Sequence, residues 1–248
     1  MDTYIIVVSA TFLFTTVFTI GGVGAAFILV PIFLILGIPH LTAISTALPL
    51  NSIAMIFASM SYAKEKLIVF RTAIPFIIFA SIFALLGAVT TKYISRYGLL
   101  WIFVGFLIFT ASMMLFYKPK EKQIEANTRK LAISGIGAGS FAGYLGGLLG
   151  VGGGKLIVPV LIWLGFNPKK ASATTAFIVI FSSFFGFLGH TAQGNIDLKL
   201  LSLCLIGAIP GALLGAYLMK KLSVKQVNFA IAIMLYIISA HMVWDLLK

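Results

Sequence analysis

Long runs of apolar residues constrain this chain more than any other feature of its sequence. Eight runs with almost no charged residue cover Tyr4 to Leu36, Ala43 to Ala63, Ile68 to Thr90, Tyr97 to Tyr117, Leu131 to Leu164, Ala171 to Ala192, Leu198 to Met219 and Val227 to Leu247. A membrane-spanning helix needs about 20 mostly apolar residues. Only 10% of the residues are charged, against about 25% in soluble domains. The sequence therefore excludes a water-soluble enzyme and predicts an all-α polytopic membrane protein.

The net charge of +12 does not indicate nucleic-acid binding. Lysines and arginines lie in the short gaps between apolar runs, where lipid headgroups and membrane topology account for them. The single cysteine, Cys204, lies inside an apolar run, so it predicts neither a disulfide nor a metal site. We expect no cofactor, and we expect the lipid bilayer as a partner, with a homo-oligomer left open.

The first and fifth runs are too long for single crossings. Each would measure about 50 Å as a continuous helix at 1.5 Å per residue, whereas the hydrocarbon core of a bilayer is about 30 Å thick. Both runs carry glycines near their middle. The sequence therefore predicts that the first helix of each half is broken or re-entrant at its glycine-rich motif, which leaves eight or ten spans open.

The two halves of the chain share residues at a constant spacing of 128 positions. The matches include Gly22-Val23-Gly24 with Gly150-Val151-Gly152, Val30-Pro31 with Val158-Pro159, Thr46 with Thr174, and the five residues from Ala84 to Ala88 with those from Ala212 to Ala216. A fixed period of this kind is typical of an internal repeat. We expect two homologous repeats of about four full spans each, residues 1–117 and 131–248, joined by a polar linker at residues 118–130.

The distribution of lysine and arginine predicts how the halves are oriented. If each overlong run crosses once, the two sides of the membrane collect 10 and 7 of these residues; if each enters and leaves on one side, they collect 13 and 4. Cytoplasmic loops carry the excess of positive charge, so the second arrangement is favoured. It places the linker 118–130 in the cytoplasm and both termini outside, and it makes the repeats inverted.

The second glycine motif predicts an anion site. Gly150, Gly152 and Gly153 favour an open helix, and a new helix beginning at about Gly154 would point its free amides and positive dipole end at the break. Lys155 is the only charged residue deep inside any apolar run. A buried cation is costly unless it is paired, and a substrate anion would supply the missing charge. The alternatives are that Lys155 extends to the membrane interface or that the break only lets helices pack closely.

Further polar positions inside the runs complete the candidate site. Gly22 and Gly24 are the counterparts of the second motif, and the following runs contribute Thr46, Asn51, Thr174, Thr175 and Ser182. Hydroxyl and amide groups of this kind can donate hydrogen bonds to an oxoanion. The competing interpretation is that they bond their own helix or a neighbouring one.

These motifs resemble the sulfite exporter TauE/SafE family of membrane permeases. The resemblance rests on two glycine-rich segments that each end in a proline, on the following helices with Thr46 or Thr174, and on the stretch Gly194 to Asp197. The first copy departs from the second, since Ala25 and Ala26 replace two glycines and Phe27 stands in the place of Lys155. The resemblance implies transport of sulfite, organosulfonates or related small anions.

We therefore expect a permease that moves a small anion, such as a sulfur oxoanion or organosulfonate, across the cytoplasmic membrane by alternating access. A permease for another small organic acid and a non-transporting scaffold subunit remain alternatives. A membrane-embedded enzyme is disfavoured, because the runs contain no clustered carboxylates or metal ligands.

Overall fold

The computed structural model describes residues 2–22, 24–116, 128–191, 196–222 and 224–247, and helix is the only regular secondary structure in them. These residues form eleven α-helices: α1 (Asp2–Ile20), α2 (Ala26–Ile35), α3 (His40–Lys64), α4 (Phe70–Thr90), α5 (Arg96–Phe116), α6 (Thr128–Ser134), α7 (Ser140–Leu149), α8 (Gly154–Trp163), α9 (Pro168–Thr191), α10 (Leu198–Lys221) and α11 (Val224–Leu247). A π-helical segment, Gly135–Gly139, joins α6 to α7, and a 3-10 turn, Thr91–Tyr93, follows α4. The all-helical prediction is confirmed.

Seven helices in the described part of the chain are long and apolar enough to cross a membrane: α3, α4, α5, the continuous α6 to α7, α9, α10 and α11. Three apolar helices are shorter, namely α2, α8 and the segment Val7–Ile20 of α1. Large apolar side chains such as Phe109, Phe141 and Ile237 are exposed on the outer surface. In water such a surface would be unfavourable, whereas lipid tails solvate it.

Both glycine motifs interrupt a helix, as predicted. The first interruption separates α1 from α2 and the second separates α7 from α8, which begins at Gly154. Gly153 lies against the carbonyl of Ala142, and α8 contacts the π-helical segment that precedes α7. The chain therefore folds back at the second motif, and α8 runs along the helix that it has just left.

Small residues allow the first helix of each half to pack closely on a helix of the other half. Along α10, Gly207, Gly211 and Gly215 lie against successive turns of α1. Along α6 to α7, Gly135, Gly139, Gly143 and Gly147 lie against successive turns of α4. Close backbone approach at small residues stabilises helix pairs in lipid, where burial of apolar surface supplies no driving force.

Helices α3 and α9 form the antiparallel centre of the bundle. Ser52 in α3 donates a hydrogen bond to the carbonyl of Ile180 in α9, with an oxygen to oxygen distance of 2.9 Å. At one end, Lys220 Nζ lies 2.7 Å from a carboxylate oxygen of Glu65, and Lys169 Nζ donates to the carbonyl of Lys220 at 2.7 Å. We call this the Glu65 end and the opposite end, where α3 begins, the His40 end. The predicted linker 118–130 lies outside the described residues except for the start of α6.

Candidate functional site

The helix breaks depend on glycines in the left-handed region of backbone space. Gly150, Gly152 and Gly153 have φ angles of 75°, 71° and 72°, and Gly22 and Gly24 have φ angles of 73° and 74°. Residues with a Cβ rarely adopt this conformation, because the Cβ approaches the following carbonyl oxygen. The glycine-rich motifs are therefore what lets the chain turn back inside the bundle.

The two breaks pack against the central helices α3 and α9. Gly22 lies against the backbone of Ser172 in α9, and Gly150 lies against the side chain of Ile44 in α3. Each break thus contacts the central helix of the other half. Gly24 and Gly152 also lie against residues of α3 or α9, whereas Gly153 lies against Ala142 in α7.

Asn51 connects the first break to α9. Its side-chain oxygen accepts a hydrogen bond from the amide of Ala26, the first residue of α2, at 3.4 Å, and its Nδ2 donates to Ser183 Oγ at 3.0 Å. Ser182 donates to the carbonyl of Gly152 in the second break at 2.8 Å. These contacts join α2, α3, α9 and the second break into one buried polar junction.

The remaining threonines of the candidate site divide into two kinds. Thr174 Oγ1 accepts a hydrogen bond at 3.0 Å from the amide of Val69, the residue just before α4. This bond ties α9 to the N-terminus of α4. Thr46 and Thr175 are buried, and their hydroxyl oxygens have no hydrogen-bond partner among the described residues. Thr46 and Thr175 can therefore both donate to and accept from a bound molecule, whereas the bond from Val69 fixes the position of the Thr174 oxygen and leaves its proton to donate.

Lys155 lies inside the protein, with 3% of its surface exposed. Its Nζ lies 5.6 Å from the centre of the Phe18 ring, and it faces Gly21 of the first break. Within the described ranges, no carboxylate pairs with it. This position differs from a lysine that extends along a lipid-facing surface, and the cation–π contact offsets only part of the cost of burying the charge.

Two side chains that the sequence reasoning did not place in the site hold carbonyls beside the breaks. Tyr62 donates to the carbonyl of Thr19 at 2.8 Å, and His190 Nε2 lies 2.8 Å from the carbonyl of Gly147. The last carbonyls of a helix lack intrahelical partners. The His190 contact satisfies one of them, whereas the carbonyl of Thr19 also accepts a hydrogen bond from the amide of Gly22 at 2.8 Å. Tyr62 and His190 are 128 positions apart, and so are Thr19 and Gly147. The repeat spacing could therefore have pointed from His190 to Tyr62.

We expect Tyr62→Phe to lower the free energy of unfolding by about 0.5–1.5 kcal/mol, because it removes one of the two hydrogen bonds that the buried carbonyl of Thr19 accepts, the other coming from the amide of Gly22 at 2.8 Å. The midpoint of denaturant unfolding in detergent measures this change. Tyr93→Phe is the control, since Tyr93 is 76% exposed and should be neutral. Equal midpoints for the two variants would contradict the role assigned to Tyr62.

Comparison with known proteins identifies the family of this bundle. The sequence profile of the family described as "Sulfite exporter TauE/SafE" matches residues 7–242. The chain belongs to this family. It is therefore a multi-pass membrane protein of the TauE/SafE transporter family, as the glycine motifs indicated.

Individual relatives agree with this assignment, two of them over most of the chain. The "Probable membrane transporter protein YunE" of Bacillus subtilis is 27% identical over an alignment of 270 positions that covers 98% of each chain. The "Probable membrane transporter protein MJ0441" of Methanocaldococcus jannaschii is 26% identical and covers 89% of this chain and 88% of its own. "Sulfite exporter TauE/SafE family protein 1" of Arabidopsis thaliana is 34% identical over 84 residues, 34% of this chain and 19% of its own. No solved structure matches the chain significantly.

Proposed function

We propose that this protein is a permease for a small anion, with a sulfur oxoanion or an organosulfonate such as sulfite as its substrate. The single observation that carries the proposal is Lys155, a cation with 3% exposure that no described carboxylate neutralises. Burying an unpaired cation in a membrane protein costs several kcal/mol. A transported anion would offset this cost each time it binds.

The surroundings of Lys155 add to the attraction for an anion. Lys155 is the second residue of α8, whose positive dipole end faces the break. The amide of Leu156 donates to the carbonyl of Gly153 at 3.1 Å, whereas the amides of Gly154 and Lys155 have no acceptor within the helix. The buried hydroxyls of Thr46 in α3 and Thr175 in α9, which have no partner among the described residues, are further candidate donors on the two central helices. Hydrogen-bond donors and positive potential from several elements are what a desolvated oxoanion requires.

We propose further that residues 1–117 and 131–248 are inverted repeats. Exchanging the halves maps the helix contacts onto themselves: α1 contacts α10 as α7 contacts α4, and α2 contacts α3 as α8 contacts α9. The pair α1 and α2 starts and ends at the His40 end, whereas α6 to α8 starts and ends at the Glu65 end. Inverted repeats with broken helices at their interface are typical of secondary transporters that work by alternating access.

The proposed orientation places the linker 118–130 in the cytoplasm, both termini outside and the protein in the cytoplasmic membrane. Single cysteines at Lys120 and Lys248, in a variant in which Cys204 is replaced by alanine, test this arrangement. We expect an impermeant thiol reagent added outside intact cells to label position 248 and not position 120. Labelling of both positions from one side would contradict the inverted arrangement.

Flux into proteoliposomes tests the proposed substrate class. Purified protein is reconstituted, and the initial rates for sulfite, sulfate, thiosulfate, a sulfonate, phosphate and lactate are compared with those of protein-free liposomes. We expect saturable flux of a sulfur anion, and an inside-negative potential favours its exit by about 2.3 kcal/mol per charge per 100 mV. Saturable flux of lactate alone would identify a permease for another organic acid, and no flux of any anion would leave the scaffold interpretation.

A further inference from the structure

A second polar group lies beside Lys155 and has no role in the site described above. Asn228, in the first turns of α11, has a buried side-chain oxygen without a hydrogen-bond partner among the described residues. An acceptor buried in this way costs free energy unless something donates to it. The polar junction at Asn51 does not involve α11, so Asn228 belongs to a different part of the bundle.

Lys155 and Asn228 both pack against Gly21. A Cβ built on Gly21 would lie 2.9 Å from Lys155 Nζ and 3.3 Å from Asn228 Oδ1. The ammonium group and the amide oxygen therefore face the same small backbone surface from α8 and α11. They do not satisfy each other, because Asn228 Oδ1 has no partner in the described part of the structure.

The equivalent place in the other half of the chain is apolar. The residues 128 positions from Gly21, Lys155 and Asn228 are Leu149, Phe27 and Leu100. Leu149 and Phe27 are fully buried, and Leu100 packs against the core. Apolar side chains thus fill this place in one half, so helix packing alone does not require a lysine and an asparagine in the other.

We propose that Lys155 and Asn228 form an oxoanion subsite over Gly21, which takes a singly charged oxoanion that carries one hydroxyl group. The ammonium group donates to a charged oxygen of the ligand, and Asn228 Oδ1 accepts a hydrogen bond from the ligand hydroxyl. Hydrogensulfite has both groups, whereas a fully ionised oxoanion offers Asn228 no donor. The inference rests on the proposed function, and it specifies the protonation state of the transported anion.

Two anions of nearly the same shape separate this inference from general attraction to negative charge. Methylphosphonate at mildly acidic pH carries one charge and one hydroxyl, and methanesulfonate carries one charge and no hydroxyl. The concentration dependence of the thermal unfolding midpoint in detergent gives the affinity of each anion for purified protein. We expect wild type to bind methylphosphonate about tenfold more tightly, the effect of one hydrogen bond to a buried acceptor.

Asn228→Leu, which introduces the residue found at the counterpart position, should remove this preference while leaving the binding of methanesulfonate within about twofold. Asn228→Asp should weaken the binding of both anions, because the new carboxylate pairs with Lys155. An unchanged preference in Asn228→Leu, or no binding of either anion to wild type, would overturn the subsite. Sulfite flux measured on the same proteins distinguishes failure of the two proposals. If binding depends on Asn228 but no flux is observed, only the permease proposal is refuted. If flux is observed but the preference for methylphosphonate does not depend on Asn228, only the subsite proposal is refuted.

Discussion

Replacing Gly153 by alanine should destabilise the fold by about 2–5 kcal/mol and sharply lower the yield of folded protein. The residue has a φ of 72°, where a Cβ costs about 1–2 kcal/mol. The new Cβ would also overlap the carbonyl oxygen of Ala142 in α7. This oxygen belongs to a helix backbone that cannot move without displacing α7 from α4, and overpacking of this kind costs about 1–3 kcal/mol more. The yield of monodisperse protein in size-exclusion chromatography measures the outcome.

Gly105→Ala is the matched control for this substitution. Gly105 lies in the middle of α5, and a Cβ there would meet no atom within 4 Å. Alanine is the better helix former by about 1 kcal/mol in water, so the control should fold as well as wild type or better. A normal yield and normal flux for Gly153→Ala would show that the fold does not depend on the second break.

Replacing Lys155 by methionine should lower anion flux about tenfold to a hundredfold at anion concentrations below half-saturation of the wild type, and it should preserve or raise stability. Methionine keeps an unbranched side chain of similar length but removes the charge that attracts the anion. A hydrogen bond to a charged group contributes about 1.5–3 kcal/mol, which corresponds to a loss of about tenfold to a hundredfold in affinity. Removal of the unpaired buried charge should at the same time raise the thermal unfolding midpoint.

The combination of lost flux and undiminished stability distinguishes a binding residue from a packing residue. If Lys155 mainly supported helix packing, methionine would lower the midpoint and leave flux per folded molecule unchanged. Lys92→Met is the control, because Lys92 is exposed and lies over the ring of Tyr93 at 4.9 Å. It should change neither quantity.

The sequence predicted the helical architecture and both breaks because these features follow from local composition. Apolar runs specify spanning helices through their length, and glycines with positive φ specify where a helix turns back. The start of α8 at Gly154 was predicted from the same motif. The inverted orientation of the halves stays a prediction, which the exchanged helix contacts support.

The hydrogen-bond partners of individual side chains could not be predicted from the sequence, because they depend on which helices contact each other. Thr174 was included in the site from its place in the motif, but its hydroxyl oxygen accepts from the amide of Val69 on another helix. The sequence does not predict a place for Asn228 in the site, since nothing near it in sequence shows that α11 passes beside the first break. Asn51 was selected as a costly polar residue in a span, and only the tertiary fold reveals that it joins α2 to α9.

The most direct test of the central claim is the initial rate of radioactive sulfite uptake into proteoliposomes held at an inside-positive potential. Wild type and Lys155→Met are measured in parallel at equal amounts of folded protein. Our account predicts that uptake by wild type saturates with sulfite concentration and rises with the potential, and that uptake by Lys155→Met is about tenfold to a hundredfold lower at sulfite concentrations below half-saturation of the wild type. Equal saturable uptake by both proteins, or no uptake by wild type above that of protein-free liposomes, would contradict it.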